Sequence, residues 1–116
     1  MNRVTRDSAA RLLKYVSRVD ASFNPLDPSG YSSRSCRELL VQLQSERVSA
    51  ANPRMEVNAE VHGRGERPVV RVGFKDGSEE MRMETDEVKV EEIKGDLFQR
   101  LMEIEQEYDA QGKTVD

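Results

Sequence analysis

With 116 residues, 36% of them hydrophobic and 5% aromatic, no Trp and a single Cys, the chain has the size of one domain with a small core and can form no internal disulfide. No apolar run approaches the ~20 residues that cross a bilayer. The net charge of −4 divides into +5 over residues 1–75 (13 Lys+Arg, 8 Asp+Glu) and −9 over residues 76–116 (5 and 14), so overall acidity gives no sign of a nucleic-acid partner, while a basic half is left to meet phosphate locally.

Residues 1–14 hold four basic residues and one acid, Asp7, among Ser, Thr and Ala. That composition fits a mitochondrial address, and it fits equally a frayed helix leading into a strand. The chain is read as an N-terminal extension at 1–13, a folded domain at 14–110 and a flexible tail at 111–116. Tyr15 to Phe23 alternates, with Tyr15, Val19, Ala21 and Phe23 on one face and Ser17 the polar exception, which predicts a strand with one buried face. Asn24-Pro25 and Asp27-Pro28 end it, because proline lacks the donor a ladder needs. Ser35 and Glu38 have the spacing of a capping box. The helix they open carries Cys36, Leu39, Leu40, Leu43 and Val48 at helical spacing and stops at Asn52-Pro53.

Arg54 to His62 alternates most cleanly, with Met55, Val57, Ala59 and Val61 on the apolar side. After the turn Gly63–Arg67, Val69 to Phe74 is a third strand with Val70, Val72 and Phe74 inward. Lys75-Asp76-Gly77 supplies the step a tight hairpin needs, and Glu80 to Thr85 returns with Met81 and Met83 inward. Val90, Ile93, Leu97, Leu101, Ile104 and Tyr108 then form one helical stripe that Phe98 widens. Glu91 and Glu92 sit near its positive N-terminus. The order β-α-β-β-β-α with one-sided strands predicts a four-stranded mixed sheet with two helices on one face. The first β-α-β unit is expected to be parallel with a right-handed crossover.

Few residues have the surroundings that chemistry requires. Cys36 stands near a helix N-terminus beside Arg34 and Arg37, a setting that lowers a thiol pKa. It has no second thiol to resolve a mixed disulfide, and it shares a stripe with three leucines, so a small buried side chain is the expectation. His62 lies on the polar side of its strand with no second metal ligand in reach. The acids Glu79, Glu80, Glu84, Asp86, Glu87, Glu91 and Glu92 lack the spacing of a calcium loop. Gly63-Arg64-Gly65 is too short to cradle phosphate. No cofactor is indicated.

The sequence of features resembles the thioredoxin fold: strand, loop, helix with an early thiol, then Arg67-Pro68-Val69 leading into a strand and hairpin. That resemblance implies a sheet order 2-1-3-4 with the first strand central. Pro68 falls where such proteins carry a cis proline, and the usual helix between the second and third strands is replaced by Gly63–Arg67. Over residues 12 to 108 the chain is similar to the mitochondrial ribosomal large-subunit family numbered fifty-three. The residues that carry this are Lys14–Pro25, Ser33–Leu40 and Val72–Gly77, with Phe23-Asn24-Pro25 and Phe74-Lys75-Asp76-Gly77 the most suggestive pieces.

The family resemblance implies a non-enzymatic component of the mitochondrial large ribosomal subunit, in the matrix. It implies mitochondrial rRNA and neighbouring ribosomal proteins as partners, with no membrane span and no small-molecule substrate. Lys14, Arg18, Arg34, Arg37, Arg47, Arg54, Arg64, Arg67 and Arg71 are the candidate contacts to RNA. With so little aromatic surface to stack on bases, they would hold the backbone without reading sequence. The residues alone favour pairing of these groups with the acids of the fourth strand and last helix. Three other functional classes stand beside this reading: an accessory subunit of a respiratory complex, a one-cysteine thioredoxin-like redox protein, and a free RNA-binding protein.

Overall fold

The computed structural model describes residues 10–26 and 31–114. Residues 10–12 are helical and pass into a 3₁₀ turn, Leu13–Tyr15. The elements that follow are β1 (Val16–Phe23), α1 (Arg34–Leu43), α2 (Glu46–Ala51), β2 (Glu56–Val61), β3 (Val69–Phe74), β4 (Met81–Glu84) and α3 (Val90–Gln111). The sheet runs β2-β1-β3-β4. β1 is parallel to β2 and antiparallel to β3, and β4 is antiparallel to β3. This is the expected four-stranded mixed sheet in a two-layer α/β arrangement, with the first strand central.

One apolar cluster joins the layers. Val16, Val19, Ala21 and Phe23 of β1 and Val70, Val72 and Phe74 of β3 pack with Cys36, Leu39, Leu40 and Leu43 of α1 and the buried stripe of α3. Leu12 and Leu13, ahead of β1, are 1% and 3% exposed and belong to the same cluster. The other sheet face carries Arg18, Asp20, Glu56, Asn58, Glu60, Arg71 and Arg82, none of them buried.

A β-bulge accounts for the polar exception at Ser17. Val16 pairs with Phe74 and Arg18 with Gly73, so β1 advances two residues while β3 advances one. The extra residue lets Val16 and Val19 both face the core. Gly73 lies against the bulge: a Cβ there would sit 3.1 Å from both Arg18 Cγ and Ser17 Oγ. Tyr15 belongs to the preceding turn and not to the strand. Its ring is buried edge-to-face against Tyr108, centroids 5.3 Å apart.

Three local expectations need correction. The Ser35–Glu38 capping box does not form, because α1 begins at Arg34. Ser35 donates its hydroxyl to the Val88 carbonyl, and Glu38 takes Arg34 Nε at 3.0 Å. The helical segment is two helices, since Ser45 caps α2 by accepting the Val48 N–H. The apolar side of β2 is covered only in part: Val57 is half-buried against the core cluster, while Ala59 and Val61 are exposed. Pro68 is buried, and no peptide bond among the described residues is cis.

Two glycines serve turns. Gly77 takes φ +77° in the β3–β4 hairpin and donates to the Phe74 carbonyl. Gly112, at φ +67°, closes α3. Its N–H donates to Asp109 and the Lys113 N–H to Tyr108, the paired bonds of a Schellman motif.

Candidate nucleic-acid interface

Cys36 is 0% exposed and sits on the buried face of α1. Burial pushes its thiol up to about 11, against weaker opposing effects from the Thr85 hydroxyl and the Arg37 charge. At neutral pH it is a protonated, enclosed sulfhydryl, the reverse of a working nucleophile. His62 is more sheltered than a polar strand position suggests: Nδ1 accepts the Arg64 N–H at 3.2 Å and Nε2 is buried. Among the described residues no group of His, Cys, Asp and Glu could hold a metal ion.

The nine basic candidates separate by position and partner. Arg18 and Arg71 lie on the open sheet face, paired with Asp20 at 2.8 Å and Glu80 at 3.9 Å. Arg18 holds the Asp20 carboxyl below the usual carboxylate range, helped by Asn58 Nδ2 at 3.1 Å. Arg64 and Arg67 stand where β1 and β2 end. Arg64 binds Glu60 at 2.7 Å and Glu66 at 3.1 Å. Arg67 reaches Glu84 at 3.5 Å and Asp86 at 4.0 Å and lies 5.2 Å from the centre of the Tyr31 ring. Arg34 pairs with Glu38, one turn along α1. Part of the basic half is therefore neutralised by local acids, including those around β4. The α3 pair to the basic half is Arg11 with Glu105, at 2.6 Å.

Lys14, Arg37 and Arg54 make no ion pair among the described residues. Lys14 and Arg54 share one end of the sheet, where β1 and β2 begin and β3 finishes. Asn52 organises that end. Its Nδ2 donates to the carbonyls of Leu13 at 3.0 Å and Val16 at 2.7 Å, and its own carbonyl accepts the Met55 N–H. Lys75 donates its backbone N–H to Tyr15 and its Nζ to Asn52 Oδ1 at 3.1 Å. The α2 helix, bearing Arg47, packs on the Leu13–Tyr15 turn. The acids nearest in sequence are Glu46 and Asp76, and the Asp76 carboxylate is engaged by Ser78.

Lys14, Arg47, Arg54 and Lys75 thus gather at one end. Sequence reasoning had Lys14, Arg47 and Arg54 but missed Lys75, and it read Asn52 only as a helix terminator. Nothing in the local pattern marks either residue, because their roles arise from contacts across more than twenty residues.

The family model described as 39S ribosomal protein L53/MRP-L53 matches residues 23–77. The match spans a little under half of the chain and supports a place in the mitochondrial large-subunit L53 family. The match runs from the last residue of β1 to the glycine of the β3–β4 hairpin, so both motifs that suggested the family, Phe23-Asn24-Pro25 and Phe74–Gly77, stand at its borders. Comparison with curated proteins finds no match. No helix among the described residues is long and apolar enough to cross a membrane.

Proposed function

We propose that the chain is a structural component of the mitochondrial large ribosomal subunit, in the matrix, holding rRNA by its backbone and resting against neighbouring ribosomal proteins, with no catalytic role. The rRNA contact rests on one observation: Lys14, Arg47, Arg54 and Lys75 are brought to one end of the sheet, around Asn52, and Lys14 and Arg54 have no acidic partner among the described residues. Phosphate is the ligand that such a group of cations suits, since the Tyr15 ring under Lys14 is itself buried and offers no face to a base. Arg37 offers a further cation on the exposed side of α1. Arg18, Arg34, Arg64, Arg67 and Arg71 are already engaged by carboxylates, and those pairs would have to open before binding phosphate.

The strand order, the early buried thiol and the antiparallel hairpin support reading the scaffold as thioredoxin-like, with the second helix lost and the thiol enclosed. The test compares two double reversals of the full chain on a transcript of mitochondrial large-subunit rRNA. Lys14→Glu with Arg54→Glu should weaken binding and flatten its dependence on log salt by about two contacts' worth. Arg64→Glu with Arg67→Glu should change both far less. Equal losses from the two pairs, or no binding by the wild-type chain, would remove the basic end as the contact.

A further inference from the structure

β2 is an edge strand whose outer side is open. The His62 N–H donates to the Phe23 carbonyl at 3.1 Å, continuing the β1–β2 ladder. In a strand, the N–H and C=O of one residue point the same way and successive residues alternate. Glu56, Asn58 and Glu60 therefore turn their backbone groups toward β1, while Val57, Ala59 and Val61 turn theirs outward, where no strand lies among the described residues. The same three residues have side chains on the core face of the sheet, in register with Val19, Ala21 and Phe23. Val57 is half-buried against the core cluster, while Ala59 is exposed and Val61 is 61% exposed.

Soluble sheets usually blunt such edges with a lysine, a proline, a bulge or a very short strand. The opposite edge, β4, has only four residues and carries Arg82. β2 has six residues and no lysine, proline or bulge, with Glu56 and Glu60 as its charges, which gives an edge of about 20 Å.

We infer that the outer edge of β2 receives an extended segment of a neighbouring protein, added as a fifth strand, with basic residues on one side and small apolar residues on the other. Charge chooses the occupant. A strand laid along β2 sets one row of side chains beside Val57, Ala59 and Val61 and the other beside Glu56, Asn58 and Glu60. Glu60 already holds Arg64, while Glu56 makes no ion pair among the described residues. Lysine or arginine in that second row meets the exposed Glu56 carboxylate, which faces Arg18 across the ladder without a close ion pair among the described residues. A second copy of this chain, paired along β2, crowds four glutamates onto the same face in either antiparallel register, which disfavours it. The added strand also covers the exposed Ala59 and Val61, and its main-chain bonds supply affinity as in other strand-addition complexes. The inference rests on reading the chain as an assembly component. Its failure is separable from failure of that reading, which is decided by co-sedimentation with the large subunit.

The probe is an eight-residue peptide alternating lysine and valine, titrated into the isotope-labelled full chain, with a glutamate–valine peptide as control. The lysine peptide should slow amide exchange at Val57, Ala59 and Val61 by about tenfold or more, and leave Asn58 and Glu60 unchanged. Glu56→Lys with Glu60→Lys should reverse the preference between the two peptides. Ala59→Pro removes one outward donor at an edge position where the ladder to β1 does not use it; it should abolish binding with the fold retained. Equal binding of both peptides, absence of protection at the three outward amides, or protection that rises with protein concentration alone would each overturn the proposal, the last in favour of a second copy.

Discussion

Asn52 donates its side-chain amide to the carbonyl oxygen of Val16 at 2.7 Å, 36 residues away in sequence and at the first residue of the central strand. The same amide holds Leu13, and the other side of the group accepts from Lys75. Asn52 is 3% exposed, so these bonds have little water to replace them. One side chain thus ties the end of the crossover to the strand it left and to the end of β3.

Asn52→Ala should cost about 3 kcal/mol, because two sheltered carbonyls lose their donor and Lys75 loses its acceptor. Urea unfolding of the variant against wild type measures it. A loss below about 1 kcal/mol would mean that water satisfies those carbonyls.

Leu12 fills the core from a position ahead of the first strand. Leu12→Ala should destabilise the chain by about 3 kcal/mol through the cavity it leaves, as read from thermal or urea unfolding. The same packing predicts that any processing of the N-terminus leaves Ala10, Leu12 and Leu13 in place, which intact-mass measurement of the mature protein checks.

Period-two alternation made β1 and β3 legible, since each presents one face to the helices, and the stripe of α3 was legible for the same reason at helical spacing. The bulge at Ser17 was visible only as a misfit, because alternation cannot say which strand holds the extra residue. The break between α1 and α2 carries no glycine or proline; Ser45 makes it by capping. For β2 the pattern was right and its consequence was not: alternation shows which residues share a face, not whether a helix is long enough to cover them. The basic candidates were countable in the sequence, but not which acids close on them: Arg18, Arg34 and Arg64 pair locally, while Arg67 and Arg71 reach acids around β4. Which charges remain for a ligand had to wait for the fold.

Cys36 links the buried thiol to pH. Its folded value, pushed up to about 11 by burial, exceeds the ~8.5 of an unfolded cysteine. The folded state thus holds the proton more tightly. The associated stability is complete below pH ~8.5 and is lost as pH rises from there through the folded value near 11. Cys36→Ala should flatten that alkaline loss relative to wild type in melting curves taken across the window, and the native wild-type thiol should resist aromatic disulfide reagents until the chain unfolds. A Cys36 that reacts at neutral pH in the folded protein would restore the redox reading.

The central claim is assembly into the large ribosomal subunit, and sedimentation of the tagged full chain through a sucrose gradient of mitochondrial lysate addresses it directly. The account predicts that the chain travels with the large-subunit particle and leaves it as salt is raised. A chain that stays at the top of the gradient, or that moves with detergent-extracted membrane complexes, would contradict it.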